Sequence, residues 1–374
     1  MRDAEGDRER MARAAVLGAA VRRGTPPNPW VGCVLVRDGA PVGEGATEPP
    51  GGRHAEVQAL DAAAERARGA TAYVTLEPCS HHGRTPPCAD ALVEAGVARV
   101  VIAVRDPDPD VAGRGIERLR AAGLEVEVGP GADLVTDQLA PYLHHRRTGR
   151  AYCVLKTATS LDGRVTAGDG SSRWITGPAA RADAHALRAD SQAVVVGSGT
   201  ALADRPTLTA RPADGPPVTR QPIRVLLDAR GRVPASGPLF ETAFAPTLIL
   251  TTQAASAAAV DAWRSAGAKV EVLPAAKPGG VDLDAALSLL GAEGVLQAMV
   301  EGGPTLHGAL LAADLVDRVV AYVAGLVLGP DGRSAFDADL PARLADAPRL
   351  RLLASRPLGD DVRLEYVSTG AGAS

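Results

Sequence analysis

Three residues in the first quarter of the chain, His54, Cys79 and Cys88, have the types and the spacing of metal ligands. One imidazole and two thiolates supply three of the four ligands that a tetrahedral zinc normally takes. A structural zinc usually has four protein ligands, whereas a catalytic zinc keeps one position open and lowers the pKa of water there to about 7. The three residues therefore predict a hydrolytic zinc site.

Glu56 lies two residues after His54 and offers a carboxylate for proton transfer. Zinc-dependent nucleobase deaminases carry a His-x-Glu sequence followed by Pro-Cys and a second Cys, with the glutamate as general acid and base rather than as a ligand. Pro78 stands directly before Cys79 in this chain. The pattern predicts hydrolytic removal of an exocyclic amine, with Glu56 as the catalytic residue.

A disulfide between Cys79 and Cys88 and a core position for His54 are the alternative interpretations of the same residues. The chain has only 4 Cys in 374 residues, begins with a charged segment and contains no apolar run long enough for a bilayer. These features favour a cytoplasmic location without membrane contact, where paired cysteines bind metal more often than they form disulfides. Cys33 and Cys153 stand in apolar runs and are expected to be core residues.

The segment between the two zinc-type cysteines, residues 80–87, is longer than the two residues of the usual deaminase pattern. It holds two imidazoles, a guanidinium and a hydroxyl, which suits a polar, phosphorylated substrate. The run from Glu77 to Cys88, with Pro27-Asn28-Pro29 and Val31-Gly32-Cys33-Val34 upstream, resembles the bifunctional pyrimidine deaminase/reductase family of riboflavin biosynthesis.

For the first half of the chain, the resemblance implies zinc on the three residues named above and a proton shuttle at Glu56. It also implies that the Asn28 amide contacts the substrate ring. Arg84 stands where the family often has a lysine, and a guanidinium there would bind the substrate phosphate in a bidentate manner.

The length of the chain predicts two domains, because single cores stop growing at about 250 to 300 residues. Alternating strand and helix patterns indicate an α/β sandwich in the first half, with a hairpin at 31–44 and helices at 11–23, 55–67 and 134–143. The polar run 144–150 is predicted as a hinge with solvated histidines, which places the boundary near residue 148.

The second half shows another α/β pattern, opening with a strand at 152–156 and a turn over 158–164. Glu301-Gly302-Gly303-Pro304 ends a predicted strand and begins a predicted helix, so its amides could receive a phosphate at the helix N-terminus. A structural tight turn explains the same glycines, and the Gly-x-Gly-x-x-Gly fingerprint is absent from the sequence. From the residues alone, both interpretations stay open.

This half is similar to the reductase domain of the same family, which has a dihydrofolate-reductase-like α/β fold and uses NADPH. The resemblance thus runs from about residue 8 to about 368 and implies a cytidine-deaminase-like α/β/α sandwich over 1–147 and the reductase over 148–374. The family's cofactor positions fall on Ala158, Trp174, Thr200, Asp204, Gly303, Pro304, Thr305, Leu306, His307, Gly308 and Ala309. Its substrate positions fall on Ser172, Arg188, Leu208, Arg211 and Glu301, with Lys156 as a further polar group at that site.

The chain departs from the family pattern at two positions. Arg205 replaces a common acidic residue, and Ala229 replaces a common small hydroxyl residue. Both changes put in doubt only local cofactor contacts. They remove no group needed for hydride transfer, because the hydride belongs to the cofactor. For Arg188 and Arg211, a surface salt bridge is the alternative to substrate binding.

The resemblance implies two reactions: deamination of a diaminopyrimidinone ribosyl phosphate, then NADPH-dependent reduction of its ribosyl group to ribityl. Lys156, Asp204 and Glu301 are the candidates for assisting proton transfer in the reduction. A net charge of −4 and 3% aromatic residues predict no nucleic-acid surface. We also expect a homo-oligomer, either a dimer or a tetramer.

Two other functions compete with this interpretation. A different nucleobase deaminase with an accessory domain is opposed by the long cysteine segment and the acidic net charge. A non-catalytic module with a structural zinc is opposed by Glu56, for which such a site has no use.

Overall fold

The structure is a computed structural model that describes residues 4–80, 87–212, 218, 220–276, 279–337 and 343–369. It divides into two compact units, Met1–Gly149 and Arg150–Ser374. Each unit has its own main β-sheet. No helix in the described ranges is both long enough and apolar enough to span a membrane.

Within the described ranges, the first unit has five strands and six α-helices. The strands are β1 (Gly32–Arg37), β2 (Ala40–Ala46), β3 (Thr71–Leu76), β4 (Arg99–Val104) and β5 (Glu125–Val128). The helices are α1 (Ala4–Val21), α2 (Ala55–Ala63), α3 (Cys88–Glu94), α4 (Arg114–Ala121), α5 (Ala132–Gln138) and α6 (Ala140–Thr148). The sheet order is β2-β1-β3-β4-β5, with β1 antiparallel to its two neighbours and β3, β4 and β5 parallel. The central strands are almost continuously buried, as expected for a sheet covered on both faces.

Helix α2 lies directly against β2 because two residues of that strand have no side chain. A Cβ on Gly43 would lie 2.2 Å from the Ala59 carbonyl oxygen, and one on Gly45 would lie 2.2 Å from that of Ala55. Any other residue would push the helix away from the sheet. These glycines therefore fix the start of α2, where His54 and Glu56 stand.

The prediction of a polar hinge at 144–150 is wrong, because residues through Thr148 belong to α6. Arg146 lies 5.1 Å from the Tyr142 ring centre and pairs with Asp108 at 3.3 Å, which stabilises the last turn. Gly149 ends the helix in the left-handed conformation, with φ of 74°.

Two predicted helices of the first unit are also divided. The predicted helix 134–143 is two helices that meet at Leu139, with Pro141 in the first turn of α6, a position that proline tolerates. The predicted helix 55–67 ends as an α-helix at Ala63 and continues as a 3₁₀ turn over Ala64–Ala67.

Among the residues that the structure describes, the second unit has eleven strands and five α-helices. The strands are β6 (Tyr152–Ser160), β7 (Ala193–Gly197), β8 (Ile223–Leu227), β9 (Thr247–Thr251), β10 (Lys269–Val272), β11 (Ala275–Ala276), β12 (Gly280–Val281), β13 (Gln297–Val300), β14 (Arg318–Ala324), β15 (Leu350–Leu358) and β16 (Asp361–Ser368). The helices are α7 (Pro178–Ala189), α8 (Ser198–Asp204), α9 (Ala257–Ser265), α10 (Leu283–Ala292) and α11 (Pro304–Ala312).

Nine of these strands form one sheet in the order β10-β9-β8-β7-β13-β6-β14-β16-β15. The strands from β10 to β14 are parallel, and β16 and β15 add antiparallel pairs at the edge. Two apolar clusters of buried side chains line this sheet, one of them around the fully buried Trp263. The carboxyl ends of the parallel strands, where open α/β sheets bind ligands, therefore lie along one edge.

Three features of the second unit differ from the sequence prediction or were not predicted. β6 continues through Ser160, so the turn expected at 158 begins only after that residue. The short helix α8 and the β15–β16 hairpin were not predicted. Most of β15 is exposed, and Pro357 interrupts its pattern, so it gives none of the burial signal that identified the central strands.

Candidate zinc centre and reductase cavity

The three predicted zinc ligands meet at the ends of three elements. His54 directly precedes α2, Cys79 follows β3, and Cys88 begins α3. His54 Nδ1 lies 3.2 Å from Cys88 Sγ and 3.6 Å from Cys79 Sγ, and all three ligand atoms lie within 4.8 Å of one another. Ligands of one tetrahedral zinc are about 3.5 Å apart, given the usual zinc–ligand bond lengths. The site therefore fits a single zinc ion, and no other described residue belongs to this cluster.

The Cys79 thiol is arranged for ready loss of its proton. The Cys88 thiol donates a hydrogen bond that lowers the pKa of Cys79 to about 4, and the same shared proton raises the pKa of Cys88. The backbone N–H of Cys88 also donates to Cys79 Sγ at 3.3 Å. The hydrogen bond with Cys79 raises the pKa of His54. A divalent cation bound between these side chains would favour the thiolate form of both cysteines. The donor set therefore suits such a cation.

Glu56 lies in the first turn of α2 and is 4% exposed. Burial raises the pKa of this carboxyl to about 7, and the negative charge of Cys79 acts in the same direction. It is not part of the ligand cluster. A carboxyl group with this pKa both accepts and releases protons near neutrality, as a general acid and base must.

A neighbouring carboxylate, Glu77, holds the strand end that carries Cys79. Glu77 Oε2 accepts the backbone N–H groups of Asp106 and Gly113, at 3.3 and 3.1 Å. Its Oε1 accepts those of Gly115 and Ile116, at 3.0 and 3.2 Å. The segment 106–116 is thereby fastened to the end of β3. Glu77 was not predicted to have a role, although four amides on one buried carboxylate make it the anchor of this junction.

Two further substrate residues were predicted for this unit. Asn28 lies in the turn before β1, where its backbone N–H donates to the Thr25 carbonyl at 2.9 Å. Arg84 lies outside the described residues. Substrate contact by both residues stays a prediction.

The second unit contains a cavity of 2290 Å³ beside the ends of β6, β7, β8 and β13. The predicted residues that line it are Lys156, Ala158, Ser172, Trp174, Arg188, Thr200, Asp204, Leu208, Arg211, Glu301, Gly303, Pro304, Thr305, Leu306, His307 and Ala309. Gly308 does not line the cavity and is buried within α11. Successive residues of a helix face different sides. His307 and Ala309 reach the cavity, whereas Gly308 faces another side of α11.

Arg188 and Glu301, both predicted to contact substrate, bind each other. Arg188 Nε donates to Glu301 Oε1, and Nη2 donates to Oε2 at 2.8 Å. Burial alone would raise the pKa of Glu301, but the guanidinium outweighs it and lowers the pKa overall. Arg188 therefore forms a salt bridge, which was the alternative to substrate binding. The salt bridge lies in the cavity wall and not on the surface. Arg188 Nη1 also donates to the Thr209 carbonyl at 3.2 Å.

Lys156 extends from β6 toward the same carboxylate. Its ammonium lies 5.7 Å from the centre of the Tyr322 ring. Burial lowers the pKa of Lys156, whereas the negative charge of Glu301 opposes that change. A lysine with a lowered pKa gives up a proton more readily than an exposed one.

One cavity residue that the sequence analysis missed is His185. Its Nδ1 accepts the backbone N–H of Arg211 at 3.3 Å, which ties the segment of Arg211 to α7. His185 stands three residues before Arg188, a spacing that places both on one face of the helix. That periodicity was the available signal.

The turn Gly302-Gly303 brings the start of α11 close to α8. Gly303 precedes α11, and a Cβ there would lie 3.2 Å from Thr200 Oγ1. On the other side of the cavity, Trp174 is 69% exposed, and the Arg181 guanidinium lies 4.6 Å from its ring centre. A cavity of 2290 Å³ with a glycine edge and an exposed aromatic ring has room for a dinucleotide.

Comparisons with known proteins agree over both units. A family profile described as the RibD C-terminal domain matches residues 151–364, and one described as the cytidine and deoxycytidylate deaminase zinc-binding region matches 5–104. Riboflavin biosynthesis protein RibD of Escherichia coli (strain K12) is 45% identical over 368 residues, which cover 96% of this chain and 98% of that protein.

Solved structures give the same result. Acinetobacter baumannii RibD, form 1, has a TM-score of 0.87 and 39% identity, covering 98% of this chain and 100% of its own. A Thermotoga maritima structure, described as a diaminohydroxyphosphoribosylaminopyrimidine deaminase/5-amino-6-(5-phosphoribosylamino)uracil reductase, has a TM-score of 0.84 and 30% identity, with coverage of 98% and 100%.

The fold, the cysteine-histidine cluster and these matches define a zinc-binding pyrimidine deaminase joined to a reductase. The chain belongs to the RibD family of bifunctional enzymes of riboflavin biosynthesis. The predicted family, fold class and pair of activities are confirmed, as is zinc as a cofactor. The use of NADPH stays a prediction. An accessory-domain deaminase of another pathway and a non-catalytic module are thereby excluded.

Proposed function

We propose that His54, Cys79 and Cys88 hold the zinc and that Glu56 carries the protons of the deamination. The observation that carries the proposal is the meeting of three ligand atoms within 4.8 Å, beside a buried carboxyl group whose pKa is raised to about 7. Zinc supplies the Lewis acidity that makes water nucleophilic near neutral pH. Glu56 accepts a proton from that water and returns it to the amine, which leaves as ammonia.

The substrate follows from the description of the T. maritima relative. We propose that this chain deaminates 2,5-diamino-6-ribosylamino-4(3H)-pyrimidinone 5′-phosphate and then reduces the ribosyl group of the product to ribityl. The final product is 5-amino-6-ribitylaminouracil 5′-phosphate. In the first unit, the Asn28 amide and the Arg84 guanidinium contact the ring and the phosphate, respectively.

In the reductase cavity, a bound NADPH would supply the hydride needed to reduce the C1′ imine of the opened ribosyl group to an amine. The residues around this position are Lys156, whose pKa is lowered, and the Arg188–Glu301 pair. Lys156 holds a proton close to the reacting nitrogen. Arg188 is already paired with Glu301, whereas Arg211 has no ion pair among the described residues. Arg211 binds the substrate phosphate, and His185 positions its backbone.

The remaining proposals concern the whole chain. We propose residues 1–147 as the deaminase domain and 148–374 as the reductase domain, and a cytoplasmic homo-oligomer, a dimer or a tetramer, that binds no nucleic acid. The four cysteines are all free, which supports a reducing compartment. Light scattering coupled to size-exclusion chromatography measures the oligomeric state.

The test of the proposed function follows its two reactions separately. Purified protein with the diaminopyrimidinone phosphate should release ammonia without NADPH and should consume NADPH only after ammonia has been released. Ammonia release without later NADPH consumption would contradict the proposed reduction. NADPH consumption without ammonia release would contradict the order of the steps.

A further inference from the structure

A buried tyrosine behind the cavity wall contacts Lys156. Tyr322, on β14, is 1% exposed and does not line the cavity, whereas Lys156, on β6, does. Register pairs place Tyr322 opposite Ala158, so Tyr322 and Lys156 stand on the same face of the sheet. The Lys156 ammonium lies over the Tyr322 ring, 5.7 Å from its centre, which is within the range of a cation–π contact. Tyr322 therefore acts on the cavity through Lys156.

The Lys156 ammonium has neighbours on four elements, and none of the described residues accepts a hydrogen bond from it. Glu301, directly after β13, attracts the ammonium, and Arg188, on α7, repels it. His307, on α11, is neutral at physiological pH, because burial lowers its pKa to about 4. On the β14 side, the ammonium meets the ring of Tyr322. Its N–H groups therefore remain available to a ligand in the cavity.

The tyrosine ring is held in place by its hydroxyl group. Tyr322 Oη donates to Asp183 Oδ2 at 2.7 Å, and Asp183 is on α7. Two arginines of the β15–β16 hairpin hold that carboxylate: Arg356 Nη2 donates to Oδ1, and Arg363 Nη1 lies 3.4 Å from Oδ2. Arg363 also pairs with Glu365 at 2.9 Å. The hairpin thereby fixes, through Asp183, the ring over which the ammonium lies.

We propose that Tyr322 is a positioning residue for the reduction, which holds the Lys156 ammonium over its ring face beside Glu301. The proposal rests on the proposed role of Lys156 in that reaction. An aromatic ring attracts a cation through its quadrupole, whereas a carboxylate in the same place would form an ion pair and occupy the N–H donors of the ammonium. The ring thus orients the lysine and leaves it free to meet a substrate.

The chain suits a direct test by NMR, because it has only three lysines, Lys156, Lys269 and Lys277. Full-length protein labelled with ¹³C at the lysine ε carbon gives one signal for each, and Lys156→Arg identifies the Lys156 signal. A ring face shields protons above it, so the ε protons of Lys156 should resonate upfield of those of the exposed Lys269. Equal positions for the two signals in the unaltered protein would overturn the proposal.

Tyr322→Leu keeps an apolar side chain and removes the ring. Because the ring favours the charged form of Lys156, the pKa of Lys156, followed by NMR titration, should fall by about 0.5 to 1 pH unit. The basic limb of the pH profile of kcat for reduction should move down with it, and kcat at neutral pH should fall about 2- to 30-fold. The Michaelis constants should stay nearly unchanged, since Tyr322 does not line the cavity.

Two further variants separate the ring from other effects of the substitution. Tyr322→Phe keeps the ring and should keep the upfield position and the pKa of Lys156. Tyr366→Leu is the matched control, because Tyr366 packs against the apolar cluster of Leu155 on the opposite face of the sheet. The same substitution there should leave the Lys156 signal and the pH profile unchanged.

The outcomes distinguish positioning from packing. If Tyr322→Leu lowers the thermal transition but changes neither the signal nor the pKa of Lys156, Tyr322 is a core residue and the proposal fails. If the signal and the pKa change but reduction does not, the contact stands and the proposed role of Lys156 fails. The signal of the unaltered protein decides the question even where Tyr322→Leu does not fold.

Discussion

Each of the three proposed zinc ligands is positioned by a different local contact. The close approach of α2 to the glycines of β2 positions His54, the amides on Glu77 hold the strand end before Cys79, and Cys88 opens α3. Residue types and spacing were enough to predict the trio, because the chemistry of the metal limits the choice of ligands. The Glu77 anchor was not predictable in this way, since its partners are backbone amides that any sequence contains.

We predict about one zinc per chain and a strongly reduced content in Cys88→Ser, because a hydroxyl group is a much poorer zinc ligand than a thiolate. Elemental analysis of the purified variant measures the metal, and ammonia release should be lost with it. Cys153→Ala is the matched control, since Cys153 is also a buried free cysteine but lies in the other unit. Full zinc occupancy in Cys88→Ser would remove Cys88 from the ligand set.

Contacts between distant residues limited the prediction of the reductase site. Arg188 and Glu301 are 113 positions apart, and nothing in either segment indicates that they pair. The sequence therefore predicted two separate substrate contacts where the structure has one ion pair. The consequence is that Arg188 and Arg211 are no longer equivalent candidates for the phosphate.

For Arg211→Ala we expect the Michaelis constant for the phosphorylated substrate to rise about 10- to 100-fold, because a charge-assisted hydrogen bond contributes about 1.5 to 3 kcal/mol. The Michaelis constant for NADPH should barely change. Steady-state kinetics with the phosphorylated substrate and a dephosphorylated analogue measure the effect. If the variant keeps the full preference for the phosphorylated substrate, Arg211 has no part in phosphate binding.

At the scale of elements, buried apolar runs predicted the central strands of both sheets well. They failed where stability comes from side-chain contacts at helix ends, as in the last turn of α6, and where a strand is exposed, as in β15. The local pattern of apolar residues indicates which positions are buried. It does not indicate an ion pair such as Arg146 with Asp108, whose partners lie in different segments.

Glu77→Gln tests how strongly the segment 106–116 supports the zinc centre. The amide nitrogen of glutamine cannot accept the two N–H groups that one carboxylate oxygen now accepts, so two buried donors lose their partner. We expect the free energy of unfolding of the deaminase unit to fall by about 1 to 3 kcal/mol, which lowers the temperature of its thermal transition. Zinc should also dissociate faster.

The control for that variant is Glu117→Gln, because Glu117 is exposed on α4. Scanning calorimetry and zinc release to a chromogenic chelator measure the two effects. An unchanged transition and an unchanged release rate in Glu77→Gln would show that the segment is held by other contacts.

At the scale of the whole molecule, composition and alternating patterns predicted two α/β units, and the family resemblance supplied their fold names and activities. The structure contains two compact units with separate sheets, and the zinc cluster and the reductase cavity are each built from residues of a single unit. Neither site depends on a residue of the other unit within the described ranges.

We therefore expect Glu56→Gln to abolish deamination and to leave reduction of the deaminated intermediate nearly unchanged. Glutamine keeps the shape of the side chain but neither accepts nor releases a proton near neutral pH. NADPH consumption with the deaminated intermediate as substrate measures the reductase alone, and a chelator added to the unaltered protein should have the same selective effect. Loss of both activities in a folded variant would contradict two independent sites.

The placement of the zinc ligands has a thermodynamic consequence. His54 and Cys88 are separated by 34 positions, and an ion bound to both closes that stretch of chain much as a cross-link does. Because the unfolded chain does not hold the three ligands together, the free energy of zinc binding adds to the free energy of folding. The free energy of unfolding of the first unit therefore rises with the concentration of free zinc. In a cell short of zinc, this unit becomes less stable and also loses its deaminase activity.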